Sequence, residues 1–161
     1  MSRTRFRPVH IDRTGEFTLP FPLRHAFPLF SPEGERAWVQ GWDPVYLHPE
    51  HPSTDHGTVF RTAHGGEETL WLVLRYDPAR ALAAYGRFSP GSRLGTVQVA
   101  CQEESPEVTR VAVTYSLTAL SLAGNAVLNA LSPKKYGAML AEWRTLILRS
   151  QGIDDTVHPV P

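Results

Sequence analysis

The stretch Ser132–Ser150, SPKKYGAMLAEWRTLILRS, decides the fold. Tyr136, Met139, Leu140, Trp143, Leu146 and Ile147 fall at offsets 0, 3, 4, 7, 10 and 11, one stripe of an α-helix. Lys134, Lys135, Glu142, Arg144 and Arg149 lie largely off that stripe. Ser132 is placed to cap the helix, and Pro133 takes the first helical position, where its missing N–H costs nothing. A long apolar helix therefore comes last in the chain. What precedes it reads as strands, and a curved sheet folded around such a helix leaves a pocket between the two.

Immediately upstream, Ser121 to Leu131 is Ala/Leu-rich and predicted helical. Before it lie segments separated by short turns: Thr58–Thr62, Thr69–Tyr76, Arg80–Phe88, Arg93–Glu103 and Val108–Leu120. Consecutive strands with short turns predict an antiparallel meander. In the last segment Val111, Val113, Tyr115 and Leu117 share the face expected to look inward; in the one before it, Val97, Val99 and Cys101 do. Thr69–Tyr76 is ambiguous, because Leu70, Leu72, Leu74 and Tyr76 on one face and Trp71 and Val73 on the other are both apolar. At the start, Val9, Ile11, Phe17 and Leu19 share one parity, with Gly15 offering a bend. Two short helices follow, Arg24 to Phe30 and a second opened by Ser31-Pro32-Glu33. Gly41 to Gly57, with three prolines and three histidines, reads as a long irregular loop or lid.

The chain of 161 residues is expected to form one domain, with a core from about 17 to 150 and a tail from 151 to 161. Its 16 basic and 16 acidic side chains cancel, which argues against a general electrostatic grip on nucleic acid or anionic membrane. No apolar run reaches the roughly 18 residues that span a bilayer, and the single cysteine fits a reducing compartment. A soluble cytoplasmic protein without membrane insertion is the expectation.

The order of strand, two short helices, about six strands in all and a long terminal helix resembles the helix-grip fold of START-related lipid-transfer domains, the birch-pollen-allergen (Bet v1-like) family and aromatic polyketide cyclases. Local strings carry the same resemblance. Ser31-Pro32-Glu33-Gly34-Glu35-Arg36-Ala37-Trp38 with Gly41-Trp42-Asp43-Pro44 is similar to a segment of small bacterial members of the SRPBCC superfamily. So are Gly57-Thr58-Val59-Phe60, Thr69-Leu70-Trp71-Leu72-Val73, Arg75-Tyr76-Asp77-Pro78, Tyr115 to Ser121 and Glu142-Trp143-Arg144. The resemblance implies an α+β helix-grip domain that holds sterol-, lipid-, hormone- or polyketide-like molecules between sheet and helix. It implies no catalytic residue, and many small bacterial members have no assigned activity.

The expected cavity wall consists of Trp38, Trp42, Tyr46, Phe60, Val97, Val113, Tyr115, Tyr136, Met139, Leu140 and Trp143. Each taken singly is better explained as core; as a set they suit a flat or apolar ligand, with Tyr O–H and Trp N–H groups to orient it. His48, His51, Asp55 and His56 lack the rigid spacing of a zinc site and read as a solvated loop, so no metal and no cofactor is expected. Glu33 and Asp43 read as structural. Glu35 is expected to pair with a base or the backbone. His64, Glu67 and Glu68 read as hairpin residues, with His64 a candidate for the pocket mouth. Cys101 reads as core packing, not as a nucleophile.

Three functions remain. The first is binding of a small hydrophobic or aromatic ligand. The second is a cyclase- or hydrolase-type enzyme, requiring at least two titratable side chains within reach of one another in the cavity. The third is a chaperone-cofactor-like interaction module, or a homodimer, through the sheet face carrying Trp71.

Overall fold

Seven strands form one antiparallel sheet: β1 (His10–Leu19), β2 (Val45–His48), β3 (Val59–His64), β4 (Glu67–Asp77), β5 (Leu82–Ser89), β6 (Arg93–Ser105) and β7 (Val108–Ala119). These elements come from a computed structural model that describes residues 5–153; residues 1–4 and most of the expected tail, 154–161, lie outside the described residues. The strand order is β1-β7-β6-β5-β4-β3-β2. Every neighbouring pair from β2 to β7 is consecutive in sequence, as a meander requires, and β1 closes the far edge by pairing with β7.

Between β1 and β2 lie α1 (Leu23–Ala26) and two 3₁₀ turns, Phe27–Phe30 and Gly34–Ala37. Ser31 organises the second turn: its Oγ accepts from the Gly34 N–H at 2.9 Å and donates to the Pro28 carbonyl at 2.8 Å. Gly34 has no alternative here, since a Cβ would collide with the Pro28 carbonyl oxygen. The helices after β7 are α2 (Leu122–Ala130), capped by Ser121, and α3 (Pro133–Ser150), capped by Ser132 Oγ on the Lys135 N–H at 3.1 Å.

The stripe read from the sequence divides into two rows on α3. Tyr136, Leu140 and Ile147 are fully buried; Met139, Trp143 and Leu146 are only partly so. At 100° per residue the two rows lie roughly 70° apart around the helix. The first row seats the helix on the β1–β7 edge of the sheet. Tyr136 donates to the Val113 carbonyl at 2.6 Å, and Leu140 fills the space left by Gly15, where a Cβ would stand 2.6 Å from Leu140 Cδ1. Gly15 thus serves helix approach and not a bend: β1 runs unbroken from the His10–Thr118 pair to the Leu19–Thr109 pair.

Two further expectations change. The Gly41–Gly57 stretch is not wholly irregular, because Val45–His48 pairs with β3 as the edge strand of the sheet. The ambiguity in β4 resolves with Trp71 and Val73 inward and Leu72 and Leu74 outward and exposed. A register shift between Val73 and Arg75 then turns Tyr76 inward as well, where it stacks on Phe27 at 4.9 Å. A bulge of this kind reverses face parity and is invisible to alternation counting. Trp71 is therefore no part of an outer interaction face.

Truncation should separate the two helix rows. Leu140→Ala is expected to cost about 2–5 kcal/mol, the usual range for a fully buried leucine. Met139→Ala should cost markedly less in urea unfolding, and equal costs would contradict the division.

Candidate functional site

Beside the second row of α3 lies a cavity of about 420 Å³. That falls in the range of small-molecule pockets, roughly 300–1,000 Å³. Its walls come from the two 3₁₀ turns and the segment after them, from β3 to β7 and from α3. All four tryptophans of the chain, Trp38, Trp42, Trp71 and Trp143, line it.

The rings form two groups. Toward β3 and β4, Phe60 and Trp71 lie parallel at 6.0 Å, with Trp42 edge-on to Trp71 at 5.7 Å. Toward α3, Trp38 meets Trp143 at 5.4 Å and Phe30 at 5.8 Å, and Tyr115 lies 6.3 Å from Trp143. Such offset and edge contacts rigidify a wall while leaving ring faces for a guest. Gln40, Gly41, Ala63, His64 and Glu67 are exposed and rim the opening, so His64 stands at the mouth.

Of the residues expected from sequence, Trp38, Trp42, Phe60, Val97, Tyr115, Met139 and Trp143 line the cavity. Four do not. Tyr136, Leu140 and Val113 belong to the tightly packed seam between α3 and the β1–β7 edge. Tyr46 packs on Phe60 from β2 at 5.8 Å and donates its hydroxyl to Glu33 Oε2 at 2.8 Å.

The polar lining differs from expectation too. Three indole N–H groups are already spent inside the protein: Trp38 on the Leu29 carbonyl (2.8 Å), Trp42 on the Pro32 carbonyl (2.8 Å) and Trp71 on Thr62 Oγ1 (3.0 Å). Tyr85 donates to the Phe30 carbonyl at 2.8 Å. The groups left over are the Glu35 carboxyl, the Tyr115 hydroxyl and the Arg87 guanidinium.

Glu35 does not pair with a base or with backbone through its side chain among the described residues; Glu33 and Asp43, its acidic neighbours, both pair with Arg36, at 3.0 and 2.8 Å. Burial without compensation holds the Glu35 carboxyl well above the ordinary carboxylate range. Burial also pushes the Tyr115 hydroxyl up to about 12, while the Arg87 charge pulls it the other way and the Glu35 charge adds to the rise. Tyr115 thus sits within electrostatic reach of both charged groups.

The spacing of the sequence does not single out Arg87. The pattern Leu82-Ala83-Ala84-Tyr85-Gly86-Arg87 shows no apolar alternation strong enough to assign faces, yet Ala83, Tyr85 and Arg87 share the inward parity of β5. A cationic residue two positions after an aromatic one on a strand paired with Trp71 was the available signal.

Elsewhere, among the described residues no three His, Cys, Asp or Glu side chains converge as a metal site. Cys101 is buried and its thiol pushed up to about 12, so it stays a protonated thiol near neutral pH. No helix among the described residues is long and apolar enough to cross a membrane.

No protein-family model matches the sequence, and no curated protein matches it. Solved structures do. A protein from Thermobifida fusca, determined by solution NMR, superposes with a TM-score of 0.68 at 13% identity, over 92% of this chain and 99% of that one. An uncharacterized protein from Rhizobium leguminosarum gives 0.63 at 18% identity, over 89% and 97%. Norcoclaurine synthase from Thalictrum flavum, solved in complex with dopamine and hydroxybenzaldehyde, gives 0.62 at 11% identity, over 88% of each chain. At these identities the likeness is one of fold: the chain adopts the Bet v1-like helix-grip fold.

Glu35 sets a pH dependence. Its pKa in the folded protein lies above its unfolded value near 4.5. The folded state is therefore favoured fully below that value and loses this contribution as pH rises through the folded pKa. Glu35→Gln removes the loss. Melting temperatures measured from about pH 4 to pH 9 should show the variant gaining on the parent as pH rises. A constant offset across that range would contradict the unpartnered burial of this carboxyl.

Proposed function

We propose that the chain binds a small hydrophobic or aromatic molecule, lipid- or polyketide-like in character, in the cavity between the sheet and α3. The observation that carries this reading is the 420 Å³ void walled by rings from both layers, with three polar groups left unpartnered inside it. Affinity comes from removing apolar ligand surface from water, and the few polar groups fix orientation. Entry is through the opening between Gln40-Gly41 and the β3–β4 hairpin. The free, buried Cys101 is compatible with work in a reducing, cytoplasmic setting.

An enzyme of cyclase or hydrolase type is the second reading, favoured by one observation: burial in the cavity holds the Glu35 carboxyl well above the ordinary carboxylate range, a shift that suits a proton donor. It is the weaker of the two. Glu35 and Tyr115 make no hydrogen bond to each other, and the cavity-wall pair that does lie within reach, Glu67 and Arg93, is an ion pair. Turnover of a bound carbonyl compound that disappears in Glu35→Gln would raise it to first place.

The neutral dye N-phenyl-1-naphthylamine tests binding. Its fluorescence should rise saturably with the protein, with quenching of the tryptophans that line the void. Val97 lies between Tyr85 and Tyr115 across the sheet. Val97→Phe puts a ring into the void and should weaken the dye by roughly tenfold or more, by removing the apolar contact that drives binding. A parent protein that leaves the dye dark, or a variant that binds it equally well, would count against the proposal.

A further inference from the structure

We propose that the cavity selects a ligand bearing a carboxylate, with Arg87 as the residue that receives it. The inference rests on the ligand-binding reading above and adds the chemical class of the guest. Arg87 projects from the inward face of β5, opposite Trp71 on β4, and its guanidinium lies over the Trp71 ring, 5.4 Å from the centroid. Among the described residues its Nε is the buried side-chain polar atom that lacks a hydrogen-bond partner. A buried donor without an acceptor is costly, and a cation more so.

The acceptors around it are already committed. Glu67, the carboxylate nearest in the wall, is gripped by both terminal nitrogens of Arg93, at 3.1 and 2.9 Å. That grip holds the Glu67 carboxyl below the ordinary range. Thr62 Oγ1 takes the Trp71 indole N–H, and the Thr69 and Ser89 hydroxyls bond to each other at 3.0 Å. Two guanidinium groups and one carboxylate leave this end of the cavity with one uncompensated positive charge. Glu35 does not supply the missing negative charge, since it forms no ion pair with Arg87.

A planar fork of N–H donors with no partner matches a carboxylate, which accepts two such bonds side by side. The aromatic group of Trp42, Phe60 and Trp71 flanks the same end, so the body of the guest lies against rings while its anionic end meets Arg87. The Tyr115 hydroxyl lines the same cavity and feels the Arg87 charge, so it can accept or donate a further bond.

The test compares acids with their neutral amides on the full chain at neutral pH, read by tryptophan quenching and by displacement of N-phenyl-1-naphthylamine. Naphthalene-2-carboxylate and decanoate represent aromatic and fatty acids; naphthalene-2-carboxamide and decanamide are the controls. The acid of at least one pair should bind roughly tenfold or more tightly than its amide, the range of a charge-assisted hydrogen bond. The preference should vanish in Arg87→Met and survive in part in Arg87→Lys. Arg87→Met should melt no lower than the parent, because it removes an unpaired buried charge. Should that variant fail to fold, the acid–amide comparison in the parent and Arg87→Lys still decides. If the neutral dye binds while no acid is preferred to its amide, or if the preference persists in Arg87→Met, the carboxylate assignment alone is overturned. If the neutral dye also fails to bind, the ligand-binding reading falls with it.

Discussion

The cavity exists because α3 is anchored by one side only. Tyr136 and Leu140 clamp the helix to the edge where β1 meets β7, through a hydroxyl on the Val113 carbonyl and a leucine over a glycine. That seam is as tight as a packed core can be: no Cβ fits at Gly15 unless Leu140 moves. With the helix held there, its adjoining row of Met139, Trp143 and Leu146 faces the rest of the sheet across a gap. A helix centred on the sheet would close the gap; one anchored at the edge leaves it open.

The remaining structure maintains that gap against collapse. Large rings from four directions prop one another at 5.4–6.4 Å without filling the centre. Ser31 and Gly34 press the second 3₁₀ turn onto Pro28, which delivers Glu35 and Trp38 to the interior. The Arg93–Glu67 pair closes the hairpin end. The unpartnered Glu35 and Arg87 oppose folding, and a sequence selected for stability alone would put apolar groups there. Their presence inside a void is the observation from which the proposed guest, anionic at one end and apolar in its body, is argued.

Much of the architecture was legible in the sequence because it is written in periods. The terminal helix, its Ser-Pro start and the inward set Val111, Val113, Tyr115 and Leu117 follow from spacing alone. What escaped has specific physical causes. The stripe on α3 announces burial but does not distinguish a side chain pressed into a seam from one facing a cavity, so spacing alone groups Tyr136 and Leu140 with Met139 and Trp143. The β4 bulge reverses parity between Val73 and Tyr76 with no local marker. Spacing gives Glu35 a partner because carboxylates usually have one, but which acid the adjacent Arg36 serves is set by the local fold, and its guanidinium turns to Glu33 and Asp43 instead. Arg87 lay in a segment of small residues where period gave no face.

Ligand binding requires that the second row of α3 look into accessible space. The chain has two methionines, Met1 and Met139, so ¹³C-methyl labelling of methionine places one reporter in the wall. On titration with N-phenyl-1-naphthylamine the Met139 methyl resonance should shift saturably, in step with dye fluorescence. A dye that binds without moving the Met139 signal would place the guest elsewhere and contradict the account.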